Sequence, residues 1–326
     1  MKLPSLRSWA CFTMIAVVTA GIPALAQEYP SRPVRLIVPY PPGGPTDIMG
    51  RLVSDVLTRR LGQNVVVDNR GGAATAIGAE MAARAQPDGY TLLVSSETTF
   101  AVNPALRDKL PYNPARDFAP VSMLTTQPYV LAVSPSITAS SVSQLVSYAK
   151  ANAGKLRYGS AGIGSANHLA GEMFKHAAGI DILHVPYKGN GPAIIDLIGN
   201  QISLMLGSIS SLYPHAAVKK LRILAVASPK RAAAAPEIQT FAEGGMPGFQ
   251  VSGWNGMVAP RGTPPQIVKK LNAEIIAGFS QPDVLDRLRK QSIEPATGTP
   301  DQFAAHMKSE YARYDKLIKA VNLKVE

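Results

Sequence analysis

Cysteine is almost absent from the chain, since Cys11 is the only one among 326 residues. Aromatic residues make up only 6% and charged residues 17% of the sequence. Beyond the N-terminal stretch, no segment reaches the ~18 apolar residues of a membrane-spanning helix. These scarcities exclude a small domain held together by disulfides and a protein with several membrane spans. A chain of 326 residues is long enough to bury its own core and usually forms about two domains.

Signatures of covalent and nucleotide chemistry are also missing. Ser160 lacks the first glycine of a nucleophile elbow, because Tyr158 stands in that place. Gly162-x-Gly164 resembles the start of a dinucleotide fingerprint, but Asn167 replaces the third glycine and no acidic residue follows at the expected distance. We therefore predict neither an enzyme nor a nucleotide cofactor.

Metal ions and nucleic acids are equally disfavoured as partners. His168 and Glu172 have the i, i+4 spacing of two metal ligands, but the chain offers no suggestive third ligand, so a hydrogen-bonding pair on the helix surface or between domains is favoured. Lysine and arginine are scattered, and no recognised nucleic-acid motif is present.

The first 26 residues have the composition of an export signal. Lys2 and Arg7 precede an apolar stretch over residues 9–19, and Ala24-Leu25-Ala26 forms an A-x-A cleavage signal. We expect cleavage after Ala26 and a soluble protein of the periplasm, if the source is a Gram-negative bacterium. Residues 27–326 contain 31 basic and 22 acidic residues, a net charge of +9 that suits an anionic ligand but also simple solubility.

The stretch VRLIVPYPPGGPTD predicts a strand, a turn and a helix in succession. Val34–Val38 is a β-branched run typical of a buried strand, and Pro39–Pro45 cannot continue it. Thr46 is the predicted N-cap of the following helix, Asp47 suits its first turn, and Gly62 is the predicted C-cap. Such a unit directs free backbone N–H groups at one point, where an anion is favoured. A tight turn without any ligand would explain the glycines equally well.

The same alternation of strands and helices continues along the chain and predicts an α/β fold with two domains. Residues 103–117 are rich in Pro and Asn, which is typical of a surface connection. Two short strands over 118–124 and 129–134 are expected to carry the chain into a second domain, and a strand over 222–228 to carry it back. The predicted units are residues 27–125 with 229–326 (domain I) and residues 126–228 (domain II), each a βα sheet with helices on both faces.

Two further turns in the second domain repeat the pattern of the first. The segment YGSAGIGSANHLAGE places small residues between a strand and a helix, which lets a ligand approach the backbone closely. In VPYKGNGPA, Tyr187 and Lys188 offer a hydroxyl and a positive charge to an acid. A partly buried tyrosine beside a solvated lysine is the alternative.

The motifs RPVRLIVPYPPGGPTDIMGR, NRGGAATAIGAE, GSAGIGSANHLAGEMF, HVPYKGNGPAIIDLIGNQI and WNGMVAPRGTP together resemble the Bug (TctC) family. These are the periplasmic solute-binding proteins of tripartite tricarboxylate transporters. The resemblance extends from about Tyr29 to Ile318. It implies a type II periplasmic-binding fold (a Venus flytrap) whose lobes close on a small carboxylate, a monomer, and membrane permease subunits as partners. An exported sensor with a signalling partner and an exported enzyme on this fold remain alternatives.

The resemblance also implies which residues line the cleft. The ligand carboxylate is expected on the loop matching Pro41–Asp47, partly through ordered water, and the second-domain loops are expected to hold the rest. The candidate residues are Tyr40, Pro41, Pro42, Gly43, Gly44, Thr46, Asp47, Ser95, Ser96, Ser160, Ala161, Gly162, Gly164, Ser165, His168, Tyr187, Lys188, Gly189, Gly207 and Ser208. Residues 207–210 carry no charge, which disfavours an amino acid as ligand. Glu97 is unexpected beside an anion site, so we expect it to point away or to pair with Lys or Arg.

Overall fold

The structure is a computed structural model, and it describes residues 29–233, 235–320 and 323. The predicted export signal and its cleavage site lie outside these residues. Among the described helices, none combines the length and the apolar character needed to cross a membrane.

Ten strands and eleven α-helices are assigned within the described residues. The strands are β1 (Val34–Val38), β2 (Val65–Asn69), β3 (Thr91–Ser96), β4 (Phe118–Val133), β5 (Arg157–Ser160), β6 (Leu183–Pro186), β7 (Leu204–Ser208), β8 (Arg222–Val226), β9 (Ser252–Pro260) and β10 (Glu294–Pro295). The helices are α1 (Pro45–Leu61), α2 (Ala76–Ala83), α3 (Asn103–Leu106), α4 (Pro114–Asp117), α5 (Val142–Ala151), α6 (Ala166–Ala178), α7 (Asn190–Ile198), α8 (Ile209–Ala217), α9 (Pro265–Phe279), α10 (Pro282–Lys290) and α11 (Pro300–Ala320). This is the predicted α/β class.

In the first lobe, β1 lies between β2 and β3, and the three strands run parallel. β9 pairs with β3, and the first part of β4 pairs with β9, both antiparallel. Adjacent residues of β1 belong to different hydrophobic clusters on the two faces of the sheet. Leu36 belongs to the cluster with residues of α1, α9 and α10, and Ile37 to the cluster with residues of α2, α3 and α11. Burial on both faces explains why these strands are continuous apolar runs.

In the second lobe, β5 lies between β6 and β7, and these strands are also parallel. β7 and β8 pair with the last part of β4, both antiparallel. α5 and α6 cover one face of this sheet, and α7 and α8 cover the other. In each lobe, the carboxyl ends of the parallel strands carry the predicted ligand loops, as open α/β sheets require.

The prediction of two separate strands over 118–124 and 129–134 is wrong, because β4 is one strand of 16 residues. Its residues from Phe118 to Pro128 pair with β9, and those from Tyr129 to Val133 pair with β7 and β8. Pro128 lies opposite Ser252, the first residue of β9, at the end of one ladder, where a missing N–H is tolerated. A single strand therefore runs from one lobe into the other.

The prediction that residues 103–117 form a surface connection is wrong for the first residues of this range. A buried π-helical turn over Thr98–Val102 leads directly into α3, and Asn103 is fully buried. The Asn103 side chain donates to the carbonyl of Ala74 (2.6 Å), and the Tyr112 hydroxyl donates to the carbonyl of Thr99 (2.9 Å). Here a polar residue type that usually marks loops instead ties a buried turn to its neighbours.

Candidate ligand-binding cleft

The first wall of the candidate cleft is the turn between β1 and α1. Gly44, not the predicted Thr46, is the N-cap of α1, and no side chain caps it. Pro45 takes the first helical position, where its missing N–H costs nothing. The predicted C-cap is confirmed, since Gly62 is left-handed and donates to the carbonyl of Thr58. The N–H groups of Thr46 and Asp47 have no acceptor within the described chain, so they are available to an anion.

Asp47 fixes the shape of this turn. Its side chain is 2% exposed and accepts hydrogen bonds from the Gly43 N–H (2.8 Å), Arg51 Nε (3.0 Å) and Asn69 Nδ2 (2.9 Å). Burial alone would raise the pKa of Asp47, but these hydrogen bonds and the Arg51 charge outweigh it and lower the pKa. Because both carboxylate oxygens are occupied, Asp47 positions the turn.

Tyr40 and the residues at the end of β3 complete this wall. The Tyr40 hydroxyl lies 2.6 Å from Ser96 Oγ, and the Tyr40 carbonyl accepts from Asn69 Nδ2 (3.0 Å). Pro41 is close to the neighbouring turn, because a Cβ placed on Gly71 would lie 3.1 Å from Pro41 Cδ. Pro42 and Gly43 are exposed and Gly44 is half-buried.

Ser95 faces the interior of the first lobe. It is fully buried, and its Oγ hydrogen-bonds to Thr99 Oγ1, which in turn donates to Thr75 Oγ1 (2.8 Å). Ala73, Ala74 and Thr75 all have positive φ angles, a strained conformation for residues with a side chain. This network holds the strained turn, and no sequence pattern marks it.

Glu97 was expected to point away from the anion site or to pair with a lysine or arginine, and the second arrangement is not observed among the described residues. It is buried, its Oε1 accepts from the Tyr129 hydroxyl (2.9 Å), and its Oε2 accepts from the Trp254 N–H (3.0 Å). The described residues include no Lys or Arg bonded to it. Burial raises the pKa of Glu97 to about 7, and the nearby Glu310 contributes in the same direction. Tyr129 and Trp254 lie on β4 and β9, so Glu97 joins β3 to the strands that link the lobes.

The second wall is the turn between β5 and α6. Ser165 caps α6 by accepting the N–H of His168 (3.3 Å). Gly162 and Gly164 have φ angles of +127° and +76°, which only glycine adopts readily. Ser160 is fully buried, and its Oγ accepts the N–H of Gly162 (3.1 Å).

Two stacked imidazoles support this turn, with ring centroids of His168 and His184 3.9 Å apart. Nδ1 of His168 accepts the N–H of Gly164 (3.2 Å), so neutral His168 carries its proton on Nε2 and can donate from there. Burial lowers the pKa of His168, and burial together with His168 lowers that of His184 to about 3. Both rings are therefore neutral at neutral pH.

The predicted pairing of His168 with Glu172 is not observed. His168 is buried, and Glu172 instead accepts from the Tyr158 hydroxyl (2.5 Å). Across the described residues, no group of three potential metal ligands is found.

The turn after β6 lies beside the turn after β5. Tyr187 N–H donates to the Ser160 carbonyl (3.1 Å), and Gly189 N–H donates to the Ala161 carbonyl (3.2 Å). The Tyr187 hydroxyl donates to Asp196 (2.7 Å), and burial with Asp196 raises the pKa of Tyr187 to about 12. Lys188 is exposed. At this turn the lysine, and not the tyrosine hydroxyl, remains available to an acid.

Gly207 and Ser208 end β7 next to the α6 turn. A Cβ on Gly207 would lie 3.1 Å from Asn167 Nδ2, so a larger residue would displace that side chain. Ser208 Oγ lies 2.9 Å from Ser211 Oγ, and Ser210 donates to Gln127 on β4 (2.6 Å). The end of β7 is thereby tied to the strand that joins the lobes.

Arg107, which follows α3, lies close to the α6 turn and is not among the residues predicted from the sequence. A Cβ on Gly164 would lie 3.0 Å from Leu106 Cδ2 and 3.3 Å from Arg107 Nη2. The end of α3 in the first lobe thus meets the α6 turn of the second lobe. The composition of residues 103–117 predicts a surface connection, and no pattern in the sequence marks this arginine.

The predicted residues lie at or near the carboxyl ends of strands in both lobes, where the N–H groups of Thr46 and Asp47 and the Nε2–H of neutral His168 are available as donors. This set suits a small anion. A serine–histidine pair is also present, with Ser160 Oγ 2.7 Å from His184 Nε2. No described residue bonds to Nδ1 of His184 to orient it, and a histidine with a pKa of about 3 is a weak base.

A family model and several known proteins match this chain. A family model described as tripartite tricarboxylate transporter family receptor (TctC) matches residues 49–323. The chain is 40% identical over 291 residues to a protein from the tcbD–tcbE intergenic region of Pseudomonas sp. strain P51, covering 89% of this chain and 86% of the relative. It is 37% identical over 315 residues to the protein BugT of Bordetella pertussis, covering 96% and 97%.

Solved structures show the same two-lobed periplasmic-binding fold. An R. palustris protein with adipate has a TM-score of 0.88 at 35% identity, covering 91% of this chain and 99% of that chain. The malate-bound MatC protein of Rhodopseudomonas palustris has a TM-score of 0.84 at 33% identity, covering 89% and 100%. The predicted fold is confirmed.

Proposed function

The chain belongs to the TctC (Bug) family of tripartite tricarboxylate transporter receptors, and we propose that it captures a small carboxylate by closing its lobes and delivers it to the membrane subunits of such a transporter. Its place of action is the periplasm after removal of residues 1–26, and it works as a monomer. The observation that carries this proposal is the N-terminus of α1, which no side chain caps and which Asp47 holds in shape. Relatives bound to adipate and malate support a carboxylate as ligand.

The binding free energy that the site must supply favours closure of the two lobes on the ligand. A micromolar Kd corresponds to about −8 kcal/mol, and hydrogen bonds to a charged group contribute roughly 1.5–3 kcal/mol each. Three or four such bonds reach that value only before ordering costs of several kcal/mol are subtracted. Burial of the ligand body between both lobes supplies the remainder.

The geometry favours an organic acid over an amino acid. An ammonium group needs a carboxylate partner in the cleft, but Asp47 is held by Arg51 and Asn69, and Glu97 is held by Tyr129 and Trp254. The residues after β7 carry no charge.

Two other functions are less well supported. An exported sensor would use the same cleft, with a signalling partner in place of the transporter. An enzyme would need an activated nucleophile, and the Ser160–His184 pair is the one serine–histidine contact of the described cleft that resembles one. Ser160 is 0% exposed, so a substrate has no access to its hydroxyl. We therefore propose binding without catalysis.

A thermal-shift screen of residues 27–326 against mono-, di- and tricarboxylates, aromatic acids and amino acids tests the proposal. A ligand that binds only the folded protein raises its stability by about 2.7 kcal/mol at one hundred times its Kd, which shifts the melting temperature by several degrees. We expect hits among the organic acids and none among the amino acids. A folded, ligand-free protein that responds to no acid would contradict the proposal.

A further inference from the structure

Arg107 carries a positive charge for which the described residues provide no counter-ion. Within the part of the chain that the structure describes, its side chain makes no ion pair or hydrogen bond, and its Nε is buried without an acceptor. Other arginines near the cleft are paired, for example Arg51 with Asp47 and Arg70 with Asp68. A half-buried guanidinium without acceptors has lost water without compensation, unless an anion completes its shell.

The surroundings of Arg107 point to the cleft as the place of that anion. On one side its Nη2 approaches Gly164, at the turn that starts α6, and the first turn of a helix favours negative charge. On the other side, Asn103 of the same short helix bonds to the carbonyl of Ala74. Ala74 follows the Gly71–Gly72 turn, which touches Pro41 of the first wall. Arg107 thus lies where the end of α3 in the first lobe meets the α6 turn of the second lobe.

We propose that Arg107 is a specificity-determining residue that binds a second acidic group of the ligand, so that the protein prefers dicarboxylates to monocarboxylates. This inference rests on the proposed function, in which the first carboxylate binds at the α1 turn. The second carboxylate binds beside the point where the Arg107 guanidinium meets the α6 turn, and a planar fork of N–H donors matches its two oxygens.

The test compares acids of equal chain length that differ by one carboxylate: succinate with butyrate, glutarate with pentanoate, and adipate with hexanoate. Calorimetric titration of the wild type is expected to show tighter binding of the diacid in at least one pair, by tenfold or more. Arg107→Gln is expected to weaken that diacid by about 10- to 100-fold, the worth of a hydrogen-bonded charge pair, and to change the monoacid by less than about threefold.

Lys109→Gln is the matched control. Lys109 is exposed and lies two residues after Arg107, so this substitution also removes one positive charge. It is expected to leave both affinities unchanged. Arg107→Lys keeps the charge but not the fork, and is expected to retain part of the preference. Thermal unfolding of each variant shows whether it is folded.

Each other outcome contradicts the inference in a distinct way. If Arg107→Gln lowers the affinities for the diacid and the monoacid equally, the arginine acts as a contact between the lobes and does not discriminate between the two acids. Unchanged binding in this variant, or no preference in the wild type, would remove Arg107 from specificity. Binding of none of the six acids by folded wild type would overturn the proposed carboxylate function itself, and this inference with it.

Discussion

Replacement of Asp47 by Ala is expected to weaken carboxylate binding by roughly tenfold or more and to lower the free energy of unfolding by about 2–4 kcal/mol. The carboxylate holds the Gly43 N–H, Arg51 and Asn69 together, and these donors lose their acceptor in the variant. Because Asn69 also holds the Tyr40 carbonyl, the whole turn before α1 loosens. The donors that face the ligand are then no longer fixed in direction.

Titration calorimetry and urea unfolding measure the two effects. Asp47→Asn keeps the shape of the side chain and one oxygen acceptor, so it should be folded and intermediate in both measurements. Asp55→Asn is the control on the same helix, since Asp55 is 43% exposed and pairs only with surface arginines. Its unfolding free energy is expected to change by no more than about 1 kcal/mol. If Asp47→Ala binds as tightly as the wild type, the α1 turn is not the carboxylate site.

Replacement of Glu97 by Gln is expected to remove a pH dependence of about 3 kcal/mol from the stability of the protein. Burial raises the pKa of Glu97 from 4.5 to about 7 in the folded state. A carboxyl group whose pKa is higher in the folded state makes its full contribution to stability at pH values below its pKa in the unfolded state. The contribution is therefore complete below pH 4.5 and is lost as the pH rises through about 7.

The measurement is the difference in unfolding free energy between wild type and Glu97→Gln at pH 4.5 and at pH 8. The wild type should lose about 3 kcal/mol relative to the variant over this interval. Glutamine keeps an oxygen for the Trp254 N–H, so the packing of β3 against β9 is retained. Glu294→Gln removes an exposed carboxylate and should follow the wild type. Parallel profiles for wild type and Glu97→Gln would show that Glu97 ionises as freely as an exposed glutamate.

Local patterns in the sequence were sufficient to predict the turns that build the walls. The strand Val34–Val38 and the C-cap of α1 at Gly62 follow from short-range periodicity and glycine positions. The N-cap of α1 is Gly44, two residues before the predicted Thr46, because a glycine can serve as N-cap when proline begins the helix. Errors of this size arise because capping preferences overlap between neighbouring residues.

What the sequence did not predict depends on contacts between distant residues. The continuity of β4 is decided by its partners β9 and β7, and the burial of Asn103 by its bond to Ala74. Similarly, the partners of Glu97 lie 32 and 157 residues away along the chain. Arg107 acquires its place only because α3 meets the opposite lobe. No local pattern encodes such pairings.

Hydrogen exchange measured with and without a saturating acid tests the central claim, which is that one anion binds between the α1 turn and the α6 turn. We expect peptides covering residues 39–48 and 160–168 to be protected together, because closure buries both turns against the same ligand. Protection of only one of these peptides, or of neither while calorimetry reports binding, would contradict a ligand held between the lobes.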